Sequence, residues 1–166
     1  MKAILACDAL GGMGYQNRLP WPRVDGDLPR FRQLTEHQIV LMGSKTWESL
    51  PVKPLPKRLN VVVTSRKLEL PDGAMQVSNP EYFANFSNCW MIGGGDLLKR
   101  SWNLLTEIHL TRLLAIYTCD VQLDLIQLSK DFDCKPVSST NEYSYEIWSR
   151  KIKNETISGI VTGHPG

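Results

Sequence analysis

Cys89-Trp90-Met91-Ile92-Gly93-Gly94-Gly95-Asp96-Leu97-Leu98 decides the reading of the fold: an apolar run meets three glycines, and a helical pattern begins after them. A short apolar run without alternation is what a strand buried on both faces shows. The glycines free the backbone to turn and let another group come close to it. Asp96–Leu104 then reads as a helix. The first N–H groups of a helix lack intrahelical acceptors, so an anion suits that end. The segment is not the GxGxxG dinucleotide fingerprint, and the acidic residue expected about 20 positions later has no clear counterpart. A tight turn without a ligand explains the triplet equally well.

The same grammar recurs on both sides. Residues 2–8 predict a buried parallel strand without alternation, Ile39–Met42 a second ended by Gly43, and Val61–Val63 a third. Leu28, Phe31, Leu34 and Thr35 are spaced as one helix face over 26–36, with Asp25 or Gly26 as cap and Pro29 in the first turn. Lys45–Leu50 reads as a short helix stopped by Pro51, Met75–Val77 as a strand and Pro80–Phe86 as a short helix. Glu107–Leu113, Asp133–Val137 and Tyr143–Arg150 read as consecutive strands. This order predicts an α/β sheet, parallel at its centre and antiparallel at its C-terminal edge. Residues 9–23, punctuated by Gly11, Gly12, Gly14, Pro20 and Pro22, form a long loop of the kind that often carries function. Residues 1–151 read as a single domain, and 152–166 as a loose tail or an appended remnant.

A chain of 166 residues, 42% apolar and 22% charged, is large enough to fold without disulfides or a structural metal. Its net charge of +2 excludes a strongly basic nucleic-acid binder. Cys7, Cys89, Cys119 and Cys134 form no CxxC pair and stand apart from His37, His109 and His164, so no metal or redox motif is expected. Cys7 and Cys89 lie in apolar runs and read as buried thiols. No stretch approaches the ~20 apolar residues of a membrane span, and a cytoplasmic location is expected.

Asp27 opens the helix after the long loop, with Leu28 and Phe31 beside it. An acid placed there could hold a hydrogen-bonding heterocycle and help to protonate it; an exposed acid at a positive helix end is the commoner case. Gly43-Ser44-Lys45-Thr46 offers backbone N–H groups and a cation to a phosphate, but Ser44 stands where a Walker A loop needs glycine, so an ATPase reading fails. Arg58, on the Pro54-Leu55-Pro56-Lys57 loop, could clamp a carboxylate through two donors, although surface arginines are more common. Trp21 and Trp47 could stack on a ring ligand or, more commonly, fill the core.

The order of these signals is more specific than any one of them. Gly14 is followed by Asn17-Arg18-Leu19-Pro20-Trp21, Asp27-Leu28-Pro29-Arg30-Phe31 with Thr35, and Met42-Gly43-Ser44-Lys45-Thr46-Trp47-Glu48-Ser49-Leu50. Then come Pro54-Leu55-Pro56-Lys57-Arg58-Leu59-Asn60, Met91-Ile92-Gly93-Gly94-Gly95, Leu110-Thr111 and Tyr143-Ser144-Tyr145-Glu146-Ile147-Trp148. In this order and spacing the set resembles the bacterial and phage-type dihydrofolate reductases, over about residues 1–150.

The resemblance implies a mixed, mainly parallel eight-stranded sheet with four helices, and an NADPH-dependent reduction of dihydrofolate by a monomer open to antifolate inhibitors. Asp27 would anchor the pterin, with Thr111 bonding to it, and Trp21 and Leu19 would belong to the catalytic surroundings. Ile4, Leu5, Ala6, Trp21, Phe31 and Ile92 would line the pterin pocket; Leu28, Leu50 and Leu55 would meet the aminobenzoyl ring, and Arg58 the glutamate carboxylate. The cofactor would be met by Ala6, Met13, Leu19 and Ile92 at the nicotinamide, and by Gly43, Ser44, Lys45, Thr46, Thr64, Ser65 and Arg66 around its phosphates. Gly94, Gly95, Asp96 and Leu97 would receive the pyrophosphate, Gly93 and Leu98 would also border the cofactor, and the peptide between Gly93 and Gly94 would be cis. This chain departs from the family at Ser44, where many relatives carry an arginine, at Asp96, where some carry a basic residue, at Leu19 for a lid methionine, and at Cys119 for a glycine. A reductase of another heterocycle with the same fold, or a folate- or nucleotide-binding module without turnover, are the competing readings. Asp27, Arg58 and Thr111 together weigh against the first, and Asp27 with the glycine triplet against the second.

Overall fold

Val40, Leu41 and Met42 are all fully buried, which is possible only for a strand covered on both faces. In the computed structural model of the chain, which describes residues 1–152 other than positions 23 and 25, that strand lies inside an eight-stranded sheet. The elements are β1 (Lys2–Cys7), β2 (Gly12–Gly14), α1 (Asp27–Thr35), β3 (Ile39–Gly43), α2 (Ser44–Ser49), β4 (Leu59–Val63), β5 (Ala74–Val77) and β6 (Cys89–Gly93). They continue with α3 (Gly95–Ser101), β7 (Glu107–Leu113), β8 (Val121–Gln122), α4 (Leu125–Asp131), β9 (Phe132–Ser139) and β10 (Tyr143–Arg150). The strand order is β5-β4-β3-β6-β1-β7-β10-β9. Every pairing from β5 to β7 is parallel, and β10 runs antiparallel to both β7 and β9. The α/β class, the four α-helices and the antiparallel C-terminal edge are those expected from the sequence.

Several expectations need correction. The β1 strand does alternate: Ala3, Leu5 and Cys7 are buried, while Lys2, Ile4 and Ala6 are half-buried. Its residues are nearly all apolar, so the period was hidden. The 9–23 loop contains β2, which pairs with β8. Between β7 and β9 the chain forms β8 and α4 rather than passing directly from strand to strand. The Asp124 side chain caps α4 by accepting from Gln127 N at 2.9 Å. The helix expected over Asp96–Leu104 starts at Gly95 and becomes a 3₁₀ turn at Trp102–Leu104, and Pro80–Phe83 is likewise a 3₁₀ turn. Gly26, with φ of 90°, stands at the cap of α1; Asp25 and residues 153–166 lie outside the described residues.

The two faces of the sheet are packed differently, and this places the site. One face carries a continuous core that includes Leu5, Leu41, Val61, Met91 and Leu110. Fully burying each such side chain contributes about 1.5–3 kcal/mol. The other face is filled by two separate clusters: Trp21, Leu113, Tyr143 and Tyr145 towards β10, and Val40, Met42, Trp47 and Val62 towards β4. Between them lie β1 and β6, whose Ile4, Ala6 and Ile92 are only half-buried. The edge strand β9 accommodates Pro136 and exposes Asp133 and Lys135, which protect an unpaired edge from a second chain. No helix of the described residues is long and apolar enough to cross a membrane.

Candidate active site

Asp27 is the first residue of α1, and its half-buried carboxylate points at the sheet, where the Thr111 hydroxyl donates to Oδ1 at 2.7 Å. Thr111 is on β7 and pairs in register with Ala6 of β1. Ala6 in turn packs on the cluster holding Trp21, which is 8% exposed and edge-on to Tyr117. Asp27, Thr111, Ala6 and Trp21 therefore share one face and one flank of the gap. Ile4 is on that face by alternation. Leu5 is not: its side chain sits in the continuous core on the opposite face, which leaves only its backbone towards the gap.

The opposite flank is apolar and ends in a cation. Leu50, Leu55 and Ile92 lean on the cluster around Trp47. Leu28, which is 57% exposed, and half-buried Phe31 face outward from α1. The fully buried Asn60 pins the 54–58 loop: its Oδ1 accepts from Leu55 N at 2.9 Å, and its Nδ2 donates to the Leu55 and Arg58 carbonyls at 2.9 and 3.2 Å. The Arg58 guanidinium lies 5.5 Å from the Phe31 ring centroid, and its Nε is buried with no hydrogen-bond partner among the described residues. Burial, then the Arg32 cation, push its pKa down against the pull of Glu36. A buried donor without an acceptor, in positive surroundings, suits an incoming carboxylate.

Two strand-to-helix turns meet at one end of the gap. Met42 pairs with Gly93, and a Cβ on Gly43 would lie 3.7 Å from Gly94 N. One on Gly94 would lie 3.4 Å from Thr46 Oγ1. The Gly93–Gly94 peptide is cis. Leu98 N is spent on the Gly94 carbonyl at 2.9 Å, and the side chains of Leu97 and Leu98 are in the core. The backbone N–H groups that this turn leaves for an anion are thus those before Leu98. Ser44 and the exposed Lys45 stand beside the turn, and Asp96 brings a negative charge to the start of α3. Thr64, Ser65 and Arg66 follow β4; the Arg66 guanidinium reaches Glu48 at 3.2 Å. The strands β7 and β6 are two spacings apart across β1, so Thr111 and the glycine turn are separated by about 10 Å.

The loop ahead of α1 is tethered. Gln16 and Asn17, both at positive φ, make a tight reversal between Tyr15 and Arg18, and Leu19 beyond it is 66% exposed. Gln16 N donates to Asp120 Oδ2 at 2.9 Å, and Met13 is half-buried beneath. A cleft of about 370 Å³ opens between this reversal and α2, lined by Gln16, Asn17, Arg18, Lys45, Glu48 and Ser49. Another of about 340 Å³ lies against α3 and α4, lined in part by Lys99, Trp102 and Gln127, and includes neither Asp27 nor Arg58.

Asp8 holds the base of that loop. Its Oδ1 accepts from Leu10 N and Gly12 N at 2.9 and 2.8 Å, and its Oδ2 from Tyr117 N at 2.9 Å. Burial alone would raise its pKa, but the Tyr117, Gly12 and Leu10 amides and the Cys119 thiol outweigh it and leave the value below the ordinary one. Cys119 packs on Gly12, where a Cβ would fall 2.3 Å from Sγ. Because the folded value is depressed, the stability Asp8 contributes is present above about pH 4 and lost as the carboxylate protonates below it. Asp8→Asn turns one acceptor oxygen into a donor facing N–H groups. It is expected to destabilise the fold by about 1–3 kcal/mol, read by thermal unfolding, and to speed amide exchange at Leu10, Gly12 and Tyr117. Unchanged exchange at those amides would remove Asp8 as the tether. Cys7 and Cys89 are buried thiols whose pKa values are pushed up to about 12 by burial, which keeps them protonated near neutral pH.

Asp8, Asp120 and Arg30 were not anticipated from sequence. Asp8 follows a buried strand directly, where a carboxylate needs donors, and that signal could have marked it.

The family model described as dihydrofolate reductase matches residues 1–149. The dihydrofolate reductase type 8 of Escherichia coli is 37% identical over 167 residues, spanning 93% of this chain and 98% of that protein. A putative dihydrofolate reductase of Caenorhabditis elegans is 36% identical over 171 residues, spanning 88% of this chain and 89% of that protein. A bifunctional dihydrofolate reductase-thymidylate synthase of Paramecium tetraurelia is 34% identical, and the match takes up 92% of this chain but 35% of that protein.

Proposed function

This chain belongs to the dihydrofolate reductase family, and on that premise we propose that it reduces 7,8-dihydrofolate to 5,6,7,8-tetrahydrofolate with NADPH. The observation that carries the reading is the Thr111–Asp27 hydrogen bond of 2.7 Å, set across β1 from the glycine turn. An acid and a phosphate cradle on opposite flanks of one gap suit a pterin lying against a nicotinamide.

The residues fit a dinucleotide. Gly43, Gly93 and Gly94 bring two turns together without side chains, and Thr46 Oγ1 borders both. The backbone N–H groups at the starts of α2 and α3 and the Lys45 cation would hold the phosphates. A reduced nicotinamide bound there supplies the hydride that adds to C6 of the pterin. The chain's own work is to hold and protonate. Asp27 would accept hydrogen bonds from the pterin amino and ring N–H groups and, with a water, deliver the proton that N5 takes up. Ile4, Ala6, Trp21, Phe31 and Ile92 would keep bulk water away from the two rings. Leu28, Leu50 and Leu55 would sandwich the aminobenzoyl ring, and Arg58 would pair with the glutamate carboxylate. Leu19 would close over the nicotinamide from the tethered loop, with Met13 beneath.

NADPH is favoured over NADH because Arg66, next to Thr64 and Ser65, supplies a cation for a 2′-phosphate that Ser44 lacks. The Arg66–Glu48 pair is well exposed on both sides and so holds that cation only weakly. The test is the fall in NADPH absorbance when dihydrofolate is added. Rapid oxidation with NADPH, slower with NADH, is expected. No oxidation with either cofactor would contradict the reading and leave a binding module.

A further inference from the structure

Arg30 stands one turn after Asp27 on α1, on the same side of the helix. Its Nη1 donates to Thr111 Oγ1 at 3.4 Å. The same hydroxyl donates to Asp27 Oδ1 at 2.7 Å. A threonine hydroxyl has one hydrogen and two lone pairs, and a guanidinium only donates. With Arg30 occupying a lone pair, the hydrogen of Thr111 is left for the carboxylate.

Arg30 is itself held in place. Its guanidinium lies 3.8 Å from the Tyr145 ring centroid and 5.6 Å from that of Tyr143. Tyr145 pairs across the sheet with Thr111, so the two side chains are neighbours on one face. The Tyr145 hydroxyl bonds to His109 Nδ1, and His109 Nε2 to Glu107 Oε1 at 2.7 Å. The Trp90 ring is edge-on to His109 at 4.9 Å, with the Lys2 ammonium over Trp90. Burial pushes the His109 pKa down against the pull of Glu107, which favours the neutral ring. With Nε2–H on Glu107, Nδ1 accepts and the Tyr145 hydroxyl donates. Donation thus runs from Tyr145 through His109 to Glu107 on one side and from Arg30 through Thr111 to Asp27 on the other, the two halves meeting where the Arg30 guanidinium lies on the Tyr145 ring.

We propose that Arg30 is a positioning residue for the reaction: it fixes the Thr111 hydroxyl as a donor to Asp27, and the Tyr145–His109–Glu107 series holds it in place. This rests on Asp27 being the acid that handles the pterin. Arg30→Met keeps the length of the side chain and removes the donor. It is expected to lower kcat about tenfold, the weak end of a charge-assisted hydrogen bond, with the KM for dihydrofolate changed less than twofold. Arg30→Lys should recover most of the loss. In a Thr111→Val background the same Arg30→Met change should have no further effect on kcat, because the group it acts through is gone. A tenfold loss that persists in Thr111→Val overturns the proposal, as does a lowered thermal midpoint in Arg30→Met with kcat intact. If Arg30→Met misfolds, Tyr145→Phe, which removes only the tether to His109, must reduce kcat in the same non-additive way with Thr111→Val, and additivity overturns the idea. Asp27→Asn separates the two readings: full activity there removes the acid, whereas an inactive Asp27→Asn with additive Arg30 and Thr111 effects removes Arg30 alone.

Discussion

Asp27→Asn is expected to reduce turnover of dihydrofolate at neutral pH by about 10²–10⁴-fold, the range typical of a lost acid–base group. The amide is nearly the same shape, and its oxygen can still accept from Thr111, so α1 and the pocket should survive. What it lacks is a negative charge towards the pterin and a site that can take and return a proton. The glycine turns and α2 are on the opposite flank, so NADPH affinity, read by titration, should change less than twofold. Equal losses of cofactor affinity and turnover would mean that the site had collapsed. Undiminished turnover would take Asp27 out of the chemistry.

Arg58→Leu is expected to raise the KM for dihydrofolate about 100-fold, as for one lost bidentate charge-assisted pair of about 3 kcal/mol, with kcat nearly unchanged. The contact is far from the reacting atoms and equally strong before and during hydride transfer, so it affects binding alone. Two controls sharpen it. A dihydropterin without the glutamate tail should be reduced equally well by both proteins. Thermal stability should hold or rise slightly, because the wild-type Nε is buried without a partner among the described residues and the substitution removes that cost. Arg58→Lys should recover only part of the affinity, since a single ammonium cannot match a planar fork. An unchanged KM would place the substrate carboxylate elsewhere.

The architecture was readable because the buried strands β3, β4 and β6 announce themselves as continuous apolar runs ended by glycine or polar residues. What escaped did so for physical reasons. The β2 and β8 strands are three and two residues long, too short to carry a period. The α4 helix had a signal, an acid at Asp124 followed three positions later by Gln127, but little apolar periodicity around it. In β1, apolar residues on both faces hid which way Leu5 pointed. Within the site, Asp27, Thr111 and Arg58 were marked by the order of motifs, whereas Arg30 was not: its partner Thr111 is 81 residues away. Contacts across that separation depend on which strands become neighbours, and no local pattern encodes them.

The central claim is geometric, and a structure of the chain with folate and NADP⁺ bound together tests it most directly. The expected result is a pterin hydrogen-bonded to the Asp27 carboxylate, with the nicotinamide C4 about 3–3.5 Å from C6, as hydride transfer requires. A pterin seated away from Asp27, or a cofactor whose phosphates lie clear of Gly43 and Gly93–Gly95, would contradict the account.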